Sequence, residues 1–217
     1  MRATIAGLRS LLEAGAPDPD LPRLGAELLR HIAAGRSDLA PIRHPLGFLY
    51  APLDRRPDSV LRLHVWPNRP AWRTITTTGY HRHAWDLVSF VQAGRIANVV
   101  LDVEPSAGDR QYRVFEVLGD GDVDLLAPTD ELVRPAAQST QLVAAGELYR
   151  VAAGDYHASR VEDAGWAVTI ALVNRVPGAT ERALGAVSLG RHSVTRQAST
   201  PAELAAAARH VMAQART

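Results

Sequence analysis

The chain contains no cysteine and no lysine; all 24 of its basic residues are arginine. The first absence excludes disulfides, thiolate metal ligands and a cysteine nucleophile. The second excludes Schiff-base chemistry, lysine-held pyridoxal phosphate and the Walker-type phosphate loop. No run of eighteen apolar residues occurs, so no membrane partner is expected. The amino terminus, MRATIAGLRSLLEAGAPDPD, lacks the apolar core of a signal peptide, and the expected location is cytoplasmic. With 24 basic against 23 acidic residues the net charge is +1, and no basic block stands out, so no nucleic-acid partner is expected either. Catalysis, if any, must draw on His, Asp, Glu, Tyr, Ser, Thr, Arg or a metal.

What is present is one domain's worth of core: 217 residues, 47% of them hydrophobic. Residues 1–40 read as a helical extension. Ile5, Leu8, Leu11 and Leu12 recur at helical spacing up to the break at Ala16-Pro17-Asp18-Pro19, and Leu24, Leu28, Leu29 and Ile32 repeat the pattern up to Gly35. From Ile42 to Val176 short runs rich in Val, Leu, Ile, Phe and Tyr alternate with Gly, Pro and Asp clusters, as in an all-β sandwich or barrel. Residues 177–217 form a carboxyl-terminal segment ending in a helix, announced by the capping box Thr200-Pro201-Ala202-Glu203.

Of eight histidines, one pair is closely spaced: His81 and His83. Side chains two apart on a strand share a face, so two imidazoles can offer two metal ligands at little conformational cost. A solvated surface pair is the other reading of that dipeptide spacing. Gly94 is expected to turn the chain between two strands. Further on, Ala152-Ala153-Gly154-Asp155-Tyr156-His157 places a Gly-Asp turn just before another strand that starts with histidine.

An H-x-H strand, a glycine turn, a long gap and a G-x-x-H strand together resemble the cupin superfamily. His81, His83 and Gly94 fall on its first motif, and Gly154 and His157 on its second. The resemblance implies an all-β cupin (double-stranded β-helix, or jelly-roll) barrel over residues 42–176, with amino-terminal helices and a carboxyl-terminal helix. It implies one metal held by His81, His83 and His157. Leu87 stands where the family has its glutamate, Ile75 replaces the leading glycine, and Ala152 and Val161 replace the proline and asparagine of the second motif. Asp86 is the nearest carboxylate, but strand parity turns it outward unless a bulge re-aims it.

Three histidines without a carboxylate resemble the thiol dioxygenase branch, cysteine dioxygenase among them. Here Ala171 and Val173 stand where that branch has a late His and Tyr, and its Cys–Tyr crosslink is impossible without cysteine. The resemblance implies a non-haem iron(II) oxygenase acting with O₂ on a small polar molecule, an amino acid or a thiol. Zinc or nickel is the alternative metal, for an isomerase, lyase or hydrolase; a metal-sensing binding protein is the third reading. Cupins often pair, so a homodimer is expected. In VLRLHVW, Arg62, His64 and Trp66 share one strand face and Leu61, Leu63 and Val65 the other. If the polar face looks inward, Arg62 could clamp a substrate carboxylate and His64 act as acid or base; otherwise it faces the helices or solvent. Tyr50 lies about where the family carries a Tyr and Arg pair, and completes the catalytic candidates. Trp85 shares the histidine parity. His31, His44, His192 and His210 read as surface residues, and the run after residue 180 as a lid.

Overall fold

The computed structural model describes residues 1–66, 75–108, 111–120, 122–161 and 165–214. Helices α1 (Arg2–Ala14) and α2 (Asp20–Ala33) come first, and α3 (Pro201–Gln214) comes last. Between them lie, among the described residues, β1 (Ile42–His44), β2 (Phe48–Arg56), β3 (Ser59–Trp66), β4 (His81–Arg82), β5 (Trp85–Pro105), β6 (Tyr112–Asp120) and β7 (Val123–Ala144). The series continues with β8 (Leu148–Val151), β9 (Tyr156–Arg160), β10 (Ala167–Arg175), β11 (Arg182–Gly185), β12 (His192–Thr195) and β13 (Gln197–Ala198). The result is mostly antiparallel sheet with three helices. Among the described residues no helix is long and apolar enough to cross a membrane.

The helix ends follow local chemistry. Gly15 ends α1 in the left-handed conformation that a side chain would disfavour, φ 66°, and its amide donates to the Leu11 carbonyl. Thr200 caps α3 as its sequence announces: its Oγ1 accepts from the Glu203 amide at 3.1 Å.

The strands form two groups that share β5. Its first half, Trp85 to Gly94, runs between β10 and β8, and the order continues through β3, β2, β1 and β13. Its second half, from Arg95, runs between β9 and β7. The turn expected at Gly94 is therefore a bend within one continuous strand. Gly94 takes φ 76°, and a Cβ there would stand 2.0 Å from the Trp166 carbonyl oxygen, so only glycine fits. The strand-rich region also extends past residue 176, because β11, β12 and β13 pair with β4 and β6, β7, and β1. The run after residue 180 is thus in part a sheet strand rather than a lid.

The first group is covered on both faces. Leu8, Leu12, Leu21, Leu28 and Ile32 of the helices pack on Leu61, Leu63, Val65, Val168, Ile170 and Leu172. The opposite parity, with Phe48, Trp66, Leu87, Ala171 and Val173, faces inward. Double burial explains why β10 reads as an apolar run from Ala167 to Val173, broken only by buried Thr169. It also decides the faces of β3: the leucines meet the helices, and Arg62, His64 and Trp66 lie on the inner side.

Among the described residues, Arg9 is the one large charged side chain closed off almost completely, at 1% exposure. It pairs with Asp54, donates to the Ser59 hydroxyl at 2.8 Å and to the Asp54 carbonyl at 3.0 Å, and so clamps α1 onto the β2–β3 hairpin. Removing Asp54 leaves the buried charge with Glu13 alone, 3.6 Å away, which costs more than replacing Arg9 by an uncharged side chain of similar volume. Asp54→Ala is therefore expected to lower the urea unfolding midpoint more than Arg9→Met does.

Candidate metal centre

His81 opens β4 and stands directly opposite His157 of β9, while Val100 of β5 faces His157 from the other side. β4 ends at Arg82, so His83 lies in the short connection to β5 rather than on the strand; its ring nonetheless joins the other two. Ring centroids are 4.6 Å apart for His81–His83, 4.6 Å for His81–His157 and 5.1 Å for His83–His157. One nitrogen from each lies within 4.8 Å of the others. Two hydrogen bonds hold this register. The Gly154 amide donates to the His83 carbonyl at 3.1 Å, and the Ala153 amide donates to Asp86 Oδ1 at 2.8 Å. The turn that launches His157 is thereby tied to the segment that carries His81 and His83. Asp86 is exposed and outside the cluster, and acts as the anchor of that turn.

The outer nitrogens settle which way the imidazoles look. His81 Nδ1 donates to the Gly79 carbonyl at 2.9 Å, which leaves its Nε2 lone pair for the centre. His157 Nδ1 lies 3.2 Å from Oδ1 of buried Asn98, an acceptor, with the same consequence. His157 Nε2 is then buried with no hydrogen-bond partner among the described residues. An orphaned buried acceptor costs roughly 1–3 kcal/mol, and a cation between the three rings would satisfy it. The outer hydrogen bonds are those that orient metal-bound imidazoles.

Burial holds all three histidines below their ordinary pKa. For His83 the charges of His81 and His157 add to it, and for His157 that of His81; in His81 the Gly79 hydrogen bond opposes it. At neutral pH the rings are uncharged and their lone pairs are available, as metal ligation requires.

A cavity of about 180 Å³ opens against His81 and His83. Tyr50, Arg62 and Trp85 line it. The Arg62 guanidinium carbon lies 4.7 Å from the Trp85 ring centre and 5.3 Å from that of Tyr50. Trp85 in turn stacks on His83 at 4.7 Å. Arg62 Nε is buried without an acceptor, and no described carboxylate pairs with it. Burial pulls the guanidinium below its usual pKa, Tyr50 and Glu181 oppose that, and it stays charged.

His64 is placed differently. It does not line the cavity but packs beside Phe48, Tyr50 and Trp66, with Nδ1 3.3 Å from the Thr169 hydroxyl. Two residues without a site signal in the sequence do line the cavity: His44 and Glu181. His44, expected at the surface, stacks on Phe48 at 4.4 Å, and burial drives its pKa well down. Glu181 precedes β11, and its carboxyl is pushed above the usual carboxylate pKa by burial, with Arg196 opposing. A lone glutamate in a turn-rich stretch carries no pattern; the pairing of β11 between β4 and β6 brings it here.

No protein-family model matches this chain, and no curated protein matches it. Among solved structures, hydroxypropylphosphonic acid epoxidase from S. wedmorenis aligns with a TM-score of 0.36 and 18% identity. That alignment covers 62% of this chain and 55% of the epoxidase, so it spans about half of the latter's length. The Streptomyces protein PAC13, solved with uridine, aligns with a TM-score of 0.18 and 8% identity over 76% of this chain and 90% of its own. At these values the chemistry rests on the site's own geometry.

His64 gives this inner layer a measurable pH dependence. Burial first, and the Arg62 charge second, lower its pKa to about 3, from 6.5 in an open chain. Above pH 6.5 neither state is protonated and no penalty arises. Below it the unfolded chain takes up a proton that the folded chain refuses, so stability falls as acid is added. Between pH 7 and pH 5 the loss from this one group is about 2 kcal/mol. Urea melts at the two pH values should show it, and His64→Leu should flatten the pH dependence by that amount.

Proposed function

We propose that this protein is a metal-dependent cupin enzyme, with its two strand groups forming a jelly-roll barrel. His81, His83 and His157 hold the metal, and the reaction is an iron(II)-dependent oxygenation of a small polar acid. The observation that carries this reading is the convergence of three neutral imidazoles: two have their outer nitrogens tied, and one inner nitrogen is buried without a partner. The H-x-H and G-x-x-H resemblance supports it. Iron(II) held by three neutral ligands keeps its full charge and open positions, and supplies the electrons for O₂ chemistry as well as chelation of a substrate.

The chain's own residues define the rest. Arg62, set beside the rings of Tyr50 and Trp85, presents a planar fork to a substrate carboxylate. The aromatic faces keep water off that pair, which strengthens it. Glu181, with its raised pKa, can take or return a proton on the cavity side of the substrate. A cavity of about 180 Å³ is below the usual range for drug-sized ligands, about 300–1,000 Å³, so the substrate is small. An amino acid meets these requirements. A thiol does so less well, because Ala171 and Val173 are buried apolar residues where the thiol dioxygenases have polar groups.

Oxygen uptake by the iron-loaded protein, screened over small amino and hydroxy acids with and without thiols, tests this reading. Uptake with at least one carboxylate substrate is expected, together with loss of turnover in the zinc-loaded protein. Arg62→Met should raise KM roughly 10- to 100-fold, the effect of losing a charge-assisted bidentate contact. Turnover that survives with zinc or nickel would move the assignment to non-redox Lewis-acid chemistry. Absence of uptake across the whole panel would remove the oxygenase reading.

A further inference from the structure

We infer that the acid taken by this cavity carries as its second polar group an oxygen acceptor, a hydroxyl or a further carboxylate, rather than an ammonium, and that His44 enforces the choice. The inference rests on the reading of Arg62 as a carboxylate clamp and narrows it, since size and one negative charge alone admit amino acids and hydroxy acids alike.

Many polar groups on the cavity wall are already engaged. Asp124 accepts from Arg196 Nε and Nη2 at 2.9 and 2.6 Å, and Glu131 accepts from Arg182 Nη1 at 2.7 Å. Thr76 Oγ1 lies 2.6 Å from His192 Nε2, and His81 Nδ1 donates to the Gly79 carbonyl. Among the described residues, four groups that can only donate are left over: the guanidinium groups of Arg62 and Arg82, the Trp85 indole N–H and the outer N–H of His44. Nε of Arg62, Nε of Arg82 and Nε1 of Trp85 are buried with no acceptor. Against them stands one acceptor without a hydrogen bond or ion pair among the described residues, the Glu181 carboxylate. The wall therefore asks for lone pairs, and an ammonium brings only further donors.

His44 is the member of this set whose hydrogen is fixed in place. The Leu46 amide donates to its Nδ1 at 3.3 Å, so the free hydrogen sits on Nε2 in the neutral ring and in the imidazolium alike. The ring lies flat on Phe48, 12° from parallel at 4.4 Å, and β1 holds the two residues opposite each other on β2. Burial keeps the ring well below its ordinary pKa, and the charges of Arg196, His81, His64 and Arg62 push the same way. An ammonium beside His44 would meet a donor and charge of its own sign, whereas a hydroxyl or carboxylate oxygen would accept the Nε2–H. Glu181 is the rival anchor for an ammonium, but it already stands in the field of Arg196, Arg62 and Arg175.

Titration calorimetry on the full chain, with and without zinc(II) so that binding is read without turnover, tests the inference with two matched pairs: lactate against alanine, and malate against aspartate. Lactate and malate are expected to bind about 10- to 100-fold more tightly than their amino counterparts, the effect of buried donors left unmet. His44→Phe keeps an aromatic ring on Phe48 and removes the donor, and should bring each pair close to level. His44→Gln retains an N–H and should restore part of the preference. Amino acids that bind as tightly as the hydroxy acids or more so, with that affinity lost in Glu181→Gln, would overturn the inference. So would a His44→Phe variant that melts like the wild type and keeps the full preference. Both of those results leave the clamp standing if Arg62→Met weakens all four acids alike. Equal binding of all four to Arg62→Met and wild type, or binding of none of them, would remove the clamp and this inference together.

Discussion

The site depends on a single registration: His81 opposite His157 across β4 and β9. β4 is only two residues long, too short to hold register through its own ladder. The register is supplied from outside. Asp86 takes the Ala153 amide, the His83 carbonyl takes the Gly154 amide, and β11 covers the far edge of β4. Gly154 itself has φ 92°, so the turn is one that glycine allows. A shift of one residue here would send an imidazole to the other face of the sheet. The histidine cluster is thus a consequence of turn chemistry as much as of strand pairing.

Electrostatics then divides the interior into two zones. The imidazoles, one buried and two half-buried, are mutually close and neutral, which suits them to a cation. Beside them Arg62 keeps its charge on aromatic faces without a counter-ion, which suits it to an anion. Arg82 lines the same cavity with its Nε likewise buried and unpartnered, but it is Arg62 that sits against the rings of Tyr50 and Trp85, beside the imidazoles. The buried Arg9, by contrast, is ion-paired with Asp54 and holds α1 in place.

Much of this was legible from the residues. The first helix stops at Gly15, just before the break read at Ala16-Pro17-Asp18-Pro19, and the last starts at the Thr200 cap, because caps are local chemistry. The histidine triad was legible in its H-x-H and G-x-x-H spacing and the Gly-Asp turn, although His83 falls just past β4 rather than on the strand that parity assumed. What was not legible depended on tertiary pairing. Gly94 reads as a hairpin turn, but the contact that makes it glycine is the distant Trp166 carbonyl, and β5 bends through it. The faces of β3 were ambiguous because helices can cover either side; α1 and α2 took the leucine face, which left Arg62 inward and put His64 into an aromatic layer off the cavity. His44 and Glu181 reached the cavity by way of β1 and the start of β11, and neither carries a pattern of its own.

The central claim is that three imidazoles form one metal site. Elemental analysis of untagged protein after anaerobic reconstitution with iron(II), set beside His157→Ala and Asn98→Ala, tests it most directly. The account predicts close to one iron per chain in the wild type, loss in His157→Ala, and affinity lowered about 10- to 100-fold in Asn98→Ala, where only the orienting amide is gone. A wild type that binds no metal, or a His157→Ala variant that binds as much as the wild type, would contradict it.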